Sequence, residues 1–395
     1  MHMAEVTVVI PNYNGIGYLK DCLDTLREQT CKNYETVLVD NGSTDGSLAF
    51  VKEHYPWVKI LALDRNYGFC HAVNAGIRAA ESSYVFLLNN DTKLHEDCIE
   101  ELLIMMRQHP HCFSCSARMI KMHEPDKLDD AGDYYCALGW AYALGKDRPW
   151  KDYLKPRKVF AACGGASMYR RSVFEKIGRF DEAHFAYLED IDVGYRAQIY
   201  GYENWYCPRA VVWHVGSGTS GSRYNEFKVR HSSRNNVYMI YKNMPFLQII
   251  LNLPLLIPGF VVKWLFFVRK GFGKEYANGI FNGIAMSDKE KKVPFQKRHL
   301  WNYENSGAAL GECRSKICDV IKIKNRNTKR KLFVKRCQNG QKRIALFRRM
   351  RYDKASKQGE DNHDQRQSNA SEPHPCGGRR TGDRMYLYRS LVYSV

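Results

Sequence analysis

The chain has 395 residues, 44% of them hydrophobic, enough for one large α/β domain with an appendage or for two domains. Its net charge of +18 invites a nucleic-acid reading, yet residues 306–395 hold 22 Lys or Arg against 8 Asp or Glu, a balance of +14 that leaves the first 305 residues at only +4. A near-neutral folded part excludes a nucleic-acid surface there, and 13 cysteines without a repeating spacing, set mostly in apolar segments, read as reduced core thiols rather than a disulfide framework. Cys112 and Cys115 form a lone CxxC without the second pair that a zinc ribbon requires.

No export signal is read at the start, because "VTVVI" (6–10) is already a strand. A helix is predicted over 17–29, with Leu19, Cys22, Leu23 and Leu26 at helical spacing. "ETVLVD" (35–40) is the second strand, followed by a helix after "NGSTDG", and "VKILAL" (58–63) is the third, followed by a helix that presents Val73, Ile77 and Ala80. "YVFLL" (84–88) is the fourth, with a helix over 96–109. This rhythm implies a doubly wound, mostly parallel sheet with right-handed crossovers, whose ligands bind beyond the carboxyl ends of the strands. Polar clusters stand at each of those ends: "PNYNG", "DNGSTDG", "RNYG" and "NND". Asn and Asp form turns, but four such clusters at one sheet edge argue for a nucleotide site.

Further on, "KVFAACGGASMYRR" (158–171) reads as an apolar strand with a glycine pair inside it, a sign of close backbone approach. The second half of residues 178–202 is helical and contains "LEDID", and "AVVWHVGSGTSG" is a short strand entering a glycine-rich loop. Residues 244–262 are the longest apolar stretch, broken by Gln248, Asn252 and three prolines, with Lys263, Arg269 and Lys270 beside aromatics just beyond. That mixture suits a helix pair lying in the interface of an anionic leaflet; a true span and a soluble core helix are the alternatives. After residue 305 no period remains and the composition is that of a disordered, basic tail.

In order, "VTVVIPNYNG", "VLVDNGSTDGS", "LDRNYGFCHAVNAGI", "FLLNNDTKL", "CGGASMYRRSVFEKIGRFDE", "YLEDIDVGYR" and "WHVGSG" resemble the family 2 glycosyltransferases, nearest to their rhamnosyltransferase-like branch, over about residues 5–240. The resemblance implies a GT-A fold over 1–240; the apolar and compositional reading adds a membrane-associated segment over 241–304 and a tail over 305–395. The resemblance further implies inverting transfer of a sugar, rhamnose by analogy, from a dTDP- or UDP-sugar to a glycan or lipid-linked acceptor at the cytoplasmic face of a bacterial membrane. The family's Asp-x-Asp metal motif is replaced here by Asn89-Asn90-Asp91, which leaves one carboxylate. The resemblance assigns Asp91 and His214 to a divalent cation, Mg²⁺ or Mn²⁺, both compatible with an oxygen and imidazole donor set.

For the acceptor proton, Glu189 and Asp192 share a helical face while Asp190 points about 100° away from Glu189. Asp192 stands four residues before Arg196, a spacing for an ion pair, so the base is assigned to Asp190 with Glu189 beside it. By the same resemblance Pro11, Tyr13 and Asn14 pack around base and ribose, and Asp40 accepts from a pyrimidine nitrogen. Asn66 and Gly68 approach the nucleotide, Asn89 and Asn90 lie at the ribose and diphosphate, and Gly165 and Ala166 border the donor sugar. A dehydrogenase is excluded by Pro11 and Tyr13 in the turn where a glycine-rich phosphate loop belongs. A sugar nucleotidyltransferase would want a basic loop after strand one, and a non-catalytic nucleotide-sugar-binding scaffold is the remaining rival.

Overall fold

In the computed structural model, residues 4–216, 224–288 and 291–295 are described. The tail expected over 305–395 and most of the glycine-rich loop after His214 lie outside them.

The first four strands and three helices follow the sequence reading closely: β1 (Val6–Asn12), α1 (Ile16–Arg27), β2 (Tyr34–Asp40), α2 (Ser47–His54), β3 (Lys59–Ala62), α3 (Phe69–Ala79) and β4 (Tyr84–Leu88). They form a parallel sheet in the order β3-β2-β1-β4. Strands covered on both faces need apolar side chains on both, hence the unbroken runs VTVVI and YVFLL. Val6, Val8, Ile10, Phe86 and Leu88 pack toward α1 and its buried Leu19, Cys22, Leu23 and Leu26. Val9, Val85 and Leu87 face the other way, toward Val73 and Ile77 of α3.

Beyond β4 come β5 (Thr92–Leu94), α4 (Cys98–Gln108), β6 (Cys112–Lys121), β7 (Leu128–Asp130), β8 (Asp133–Cys136), β9 (Trp140–Ala143), β10 (Arg157–Val159), β11 (Ala166–Arg170), α5 (Arg171–Ile177), α6 (Glu189–Ile199) and β12 (Glu203–His214). Here the sheet becomes mixed: β11 runs antiparallel to both β4 and β6, β12 is parallel to β6, and β5 and β10 flank β12 antiparallel. Two local expectations are corrected. The glycine pair lies not within a strand but in the turn between β10 and β11, where the Gly165 carbonyl accepts from Asn89 N–H at 2.8 Å. The strand before His214 is not short; it has 12 residues, because β6 pairs with it on both sides of a bulge between Cys207 and Val211 while β10 and β5 pair with its two ends. Cys112 and Cys115 are buried in β6 and serve as core.

Three helices complete the described chain: α7 (Glu226–Asn243), α8 (Phe246–Arg269) and α9 (Gly273–Ala285). α7 runs unbroken past residue 240, so the boundary expected there falls inside a helix. The apolar segment is one 24-residue helix rather than a pair, despite Pro254 and Pro258 inside it. Each proline removes one ladder hydrogen bond. They stand four apart on the exposed side, while Leu256, Gly259 and Phe267 pack against the protein and Trp140 Nε1 donates to the Gly259 carbonyl at 3.0 Å. Ile249, Phe260 and Phe266 are half-buried beside them, but the other face of α8 is bare: Phe246, Leu251, Ile257 and Val262 are 71%, 69%, 57% and 53% exposed. It is long and apolar enough to cross a membrane.

Candidate active site

The carboxyl ends of β1, β2 and β4 open onto a cleft of about 610 Å³. Pro11, Tyr13, Asn66, Gly68, Asn89, Asn90, Asp91, Gly165, Glu189, Asp190 and His214 all border it, as the sequence reading requires. Asn14, Asp40 and Ala166 do not. Asp40 is fully buried beneath the floor, where its carboxylate accepts from Asn12 Nδ2 and Ser43 N–H, both at 2.9 Å. Asn14 ties the first loop to the second, its Oδ1 accepting from Thr44 N–H at 2.8 Å. Ala166 is fully buried in β11, paired with Leu88.

The floor is an amide relay. Asn90 Nδ2 donates to Asn12 Oδ1 at 2.7 Å, and Asn12 passes its own amide to Asp40. A Cβ at Gly15 would overlap Asn90 Nδ2 and come within 2.6 Å of Asn12 Oδ1, so the first loop needs glycine there to close over the pair. Asn41 holds the third loop, donating to Asn66 Oδ1 (2.9 Å) and accepting from Tyr67 N–H (3.0 Å).

Asp91 and His214 meet across the β5–β12 pairing, in which His214 opposes Thr92; the His214 Nε2 to Asp91 Oδ1 separation is 3.2 Å. Behind the ring, Nδ1 lies 2.7 Å from Asp129 Oδ2. Asp129, on β7, has no spacing or motif to mark it in the sequence; the sheet brings it 85 positions back to His214. Burial opposes protonation of His214, but the Asp129 and Asp91 carboxylates outweigh it and push its pKa up to about 10. Asp129 is held well below the ordinary carboxylate range: its burial would raise it, and Lys146 and His214 overcome that.

These groups suit a divalent cation. A buried carboxylate and an imidazole converge to hydrogen-bond distance, and an acceptor orients the far ring nitrogen, as metal-bound histidines require.

The opposite wall is the start of α6. Asp190 Oδ1 accepts from Ile191 N–H at 2.8 Å and Oδ2 from Gly164 N–H at 3.3 Å. Burial raises the Asp190 pKa, and burial followed by the Asp190 charge pushes Glu189 up to about 8. Glu189 Oε2 is buried without a hydrogen-bond partner. Asp192 faces away, as its spacing from Arg196 implies; it is fully buried and accepts from Arg196 Nε (3.0 Å), Lys242 Nζ (3.0 Å) and Asn243 Nδ2 (2.8 Å).

In the sequence, Phe185, Tyr187 and Leu188 flank "LEDID" only as apolar residues that argue against a solvated acid there; their backbone conformation is not legible. Phe185, Tyr187 and Leu188 have φ of 64°, 72° and 64°, a conformation costing non-glycine residues on the order of 1–3 kcal/mol each. Phe185 and Tyr187 line the cleft, with Phe69 and Phe227 completing an aromatic rim. Phe227 is 44% exposed and sits 6.0 Å from the Phe185 ring and 6.1 Å from that of Tyr187. Nothing in their local sequence distinguishes these aromatics from core residues.

The chain is similar to known proteins. A family model described as "Glycosyl transferase family 2" matches residues 7–178. The "PGL/p-HBAD biosynthesis glycosyltransferase" of Mycobacterium bovis (strain BCG / Pasteur 1173P2) is 30% identical over 196 residues, 48% of this chain and 68% of the relative. The "N-acetylglucosaminyl-diphospho-decaprenol L-rhamnosyltransferase" of Mycobacterium tuberculosis (strain CDC 1551 / Oshkosh) is 28% identical over 242 residues, 54% of this chain and 77% of the relative. Among solved structures, GalNAc-T7 with UDP, GalNAc and Mn²⁺ is similar in fold, with a TM-score of 0.51 at 16% identity over 61% of this chain. The chain spans about half the length of that structure, 48%.

Proposed function

The chain belongs to glycosyl transferase family 2, and from that premise we propose that its cleft transfers a sugar, with inversion, from a nucleoside diphosphate donor to a hydroxyl of a lipid-linked glycan. What supports this reading above all is one juxtaposition: Asp91 and His214 on one side of a single cleft, Asp190 and Glu189 on the other. The donor nucleotide is dTDP or UDP, and rhamnose is the sugar favoured by the decaprenol-linked relative.

The chain's own residues divide the work. Pro11, Tyr13, Asn66 and Gly68 receive base and ribose, while Asn89 and Asn90 offer amides toward the ribose and diphosphate. Asp91 and His214 would hold a divalent cation, Mg²⁺ or Mn²⁺, which when bound neutralises charge on the departing diphosphate. Asp190 takes the proton from the acceptor hydroxyl as that oxygen bonds to the anomeric carbon and the carbon–phosphate oxygen bond breaks on the opposite face. A raised carboxylate pKa matches this task, because a base is most effective when its pKa approaches the working pH. The aromatic rim formed by Phe69, Phe185, Tyr187 and Phe227 keeps water from competing as acceptor.

The acceptor's lipid anchor gives α8 a role. A largely exposed apolar helix ending in exposed Arg269 and Lys270, with exposed Lys274 at the start of α9, fits the interface of an anionic leaflet at its cytoplasmic face.

The experiment is a donor panel with purified protein, UDP- and dTDP-hexoses, reading liberated nucleoside diphosphate in the presence of a divalent cation. Asp190→Asn should lower turnover by about 10²- to 10⁴-fold. Full turnover in that variant would defeat the assignment of the base, and release from no donor would defeat the transferase reading.

A further inference from the structure

α7 lies wholly beyond the residues matched by the family model, yet its side chains reach the strained segment that leads into Asp190. We infer that Asn235, backed by Arg234, is a positioning residue: it holds the backbone of residues 185–188, where Phe185, Tyr187 and Leu188 have positive φ, so that Asp190 enters the cleft in the orientation transfer requires. This rests on Asp190 being the base.

Three carbonyls converge on one amide. Asn235 Nδ2 lies 3.0 Å from His184 O, 2.9 Å from Ala186 O and 2.8 Å from Tyr187 O. Asn235 itself is fully buried. An extended or helical segment would not turn these oxygens toward a single point; the positive φ values at Phe185 and Tyr187 do. Arg234 Nη2 adds bonds to Ala183 O (3.0 Å) and His184 O (2.8 Å), and its Nε donates to Asn235 Oδ1 at 2.9 Å, which fixes the amide with its NH₂ toward the carbonyls. At the segment's end, Leu188 is the N-cap of α6 and its carbonyl accepts from Asp192 N–H at 2.9 Å, so the turn sets the first turn of the helix that carries Glu189 and Asp190. On the other flank, Cys70 N–H donates to Phe185 O at 3.2 Å, linking the segment to the nucleotide-side helix α3.

The position demands a donor of this shape. An aspartate has the same outline but would aim a carboxylate at three carbonyl oxygens, while a leucine would take this donor away from the Ala186 and Tyr187 carbonyls and leave His184 O only Arg234 and Ala186 N–H.

The test is Asn235→Asp with Arg234→Gln as the milder variant, since the latter removes the three guanidinium bonds, to Ala183 O, His184 O and Asn235 Oδ1, from a partly buried residue and keeps the Asn235 side chain itself. Each is compared with wild type and Asp190→Asn for far-UV circular dichroism, melting temperature, UDP and dTDP binding by calorimetry, and kcat and KM on whichever UDP- or dTDP-hexose wild type turns over fastest. A positioning role lowers kcat at least 30-fold in Asn235→Asp and about 5- to 10-fold in Arg234→Gln. Nucleotide binding and the donor KM stay within threefold of wild type. If Asn235→Asp fails to fold, the Arg234→Gln result decides. Wild-type kcat in a folded Asn235→Asp, or in Arg234→Gln when the former is lost, overturns the inference provided that Asp190→Asn is inactive. Full turnover in Asp190→Asn instead brings down the base assignment itself. A proportional loss of nucleotide binding and kcat marks a purely structural role and likewise overturns it.

Discussion

Asp192 stands two residues from Asp190, but its surroundings give it the opposite task, and Asp192→Asn separates the two. The substitution keeps the shape and removes one fully buried charge that faces two cations, Arg196 and Lys242, themselves 4% and 7% exposed. Breaking a buried pair costs about 3–5 kcal/mol because a charge is left uncompensated. Lys242 retains Asp181 at 2.7 Å, and Arg196 retains the carbonyls of Ile177, Gly178 and Arg179, which sets the expected loss near the lower end, about 3 kcal/mol. For a domain of this size, about 2–4 °C of melting temperature per kcal/mol gives a drop of roughly 6–12 °C.

Burial alone would raise the Asp192 pKa, but Lys242 and Arg196 hold it well below the ordinary carboxylate range. Its contribution is therefore complete above that range and is lost as pH falls through the depressed folded value, so wild type and variant should converge in strong acid. Scanning calorimetry across pH, with kcat normalised to folded enzyme, reads both effects. A melting temperature within 2 °C of wild type, or a stable variant as inactive as Asp190→Asn, would refute the assignment of Asp192 to the scaffold.

Three further outcomes are expected. Asp129→Ala, which leaves His214 without its orienting acceptor, should raise the Mg²⁺ or Mn²⁺ concentration for half-maximal turnover by about 10- to 100-fold; an unchanged requirement would remove Asp129 from the site. The acid limb of the kcat–pH profile should fall above the ordinary carboxylate range, because burial raises Asp190 and the base works only when ionised; a limb at the usual position would contradict the buried environment described here. Replacing Leu247, Leu251 and Val262 together by Glu should abolish flotation with phosphatidylglycerol vesicles while leaving nucleotide binding intact, and equal flotation would rule α8 out as the membrane contact.

The nucleotide half was legible because its signals are local. Apolar runs buried on both faces, helices with Leu19, Cys22, Leu23 and Leu26 on one stripe, and polar residues at every strand end are each set by neighbours within a dozen positions. The other half depends on distant partners. Asp129 acquires meaning only when β7 and β12 flank β6, and Asn235 only when α7 crosses the segment before α6. Asp40 illustrates the reverse limit: a carboxylate at a strand end looked free to meet a base, but Asn12 and Ser43 lie closer and occupy it. Prolines in α8 suggested a break that tertiary packing along Leu256, Gly259 and Phe267 overrides.

The coupling of Asp91 to His214 by main chain has a mechanical consequence. His214 closes the last rung opposite Thr92, and one residue further Val215 N–H bonds the Asp91 carbonyl at 3.0 Å, so the two donors occupy neighbouring steps of one hydrogen-bonded ribbon. Their backbones cannot move apart without unzipping that ribbon. The socket proposed for a divalent cation is thus finished when the sheet is finished.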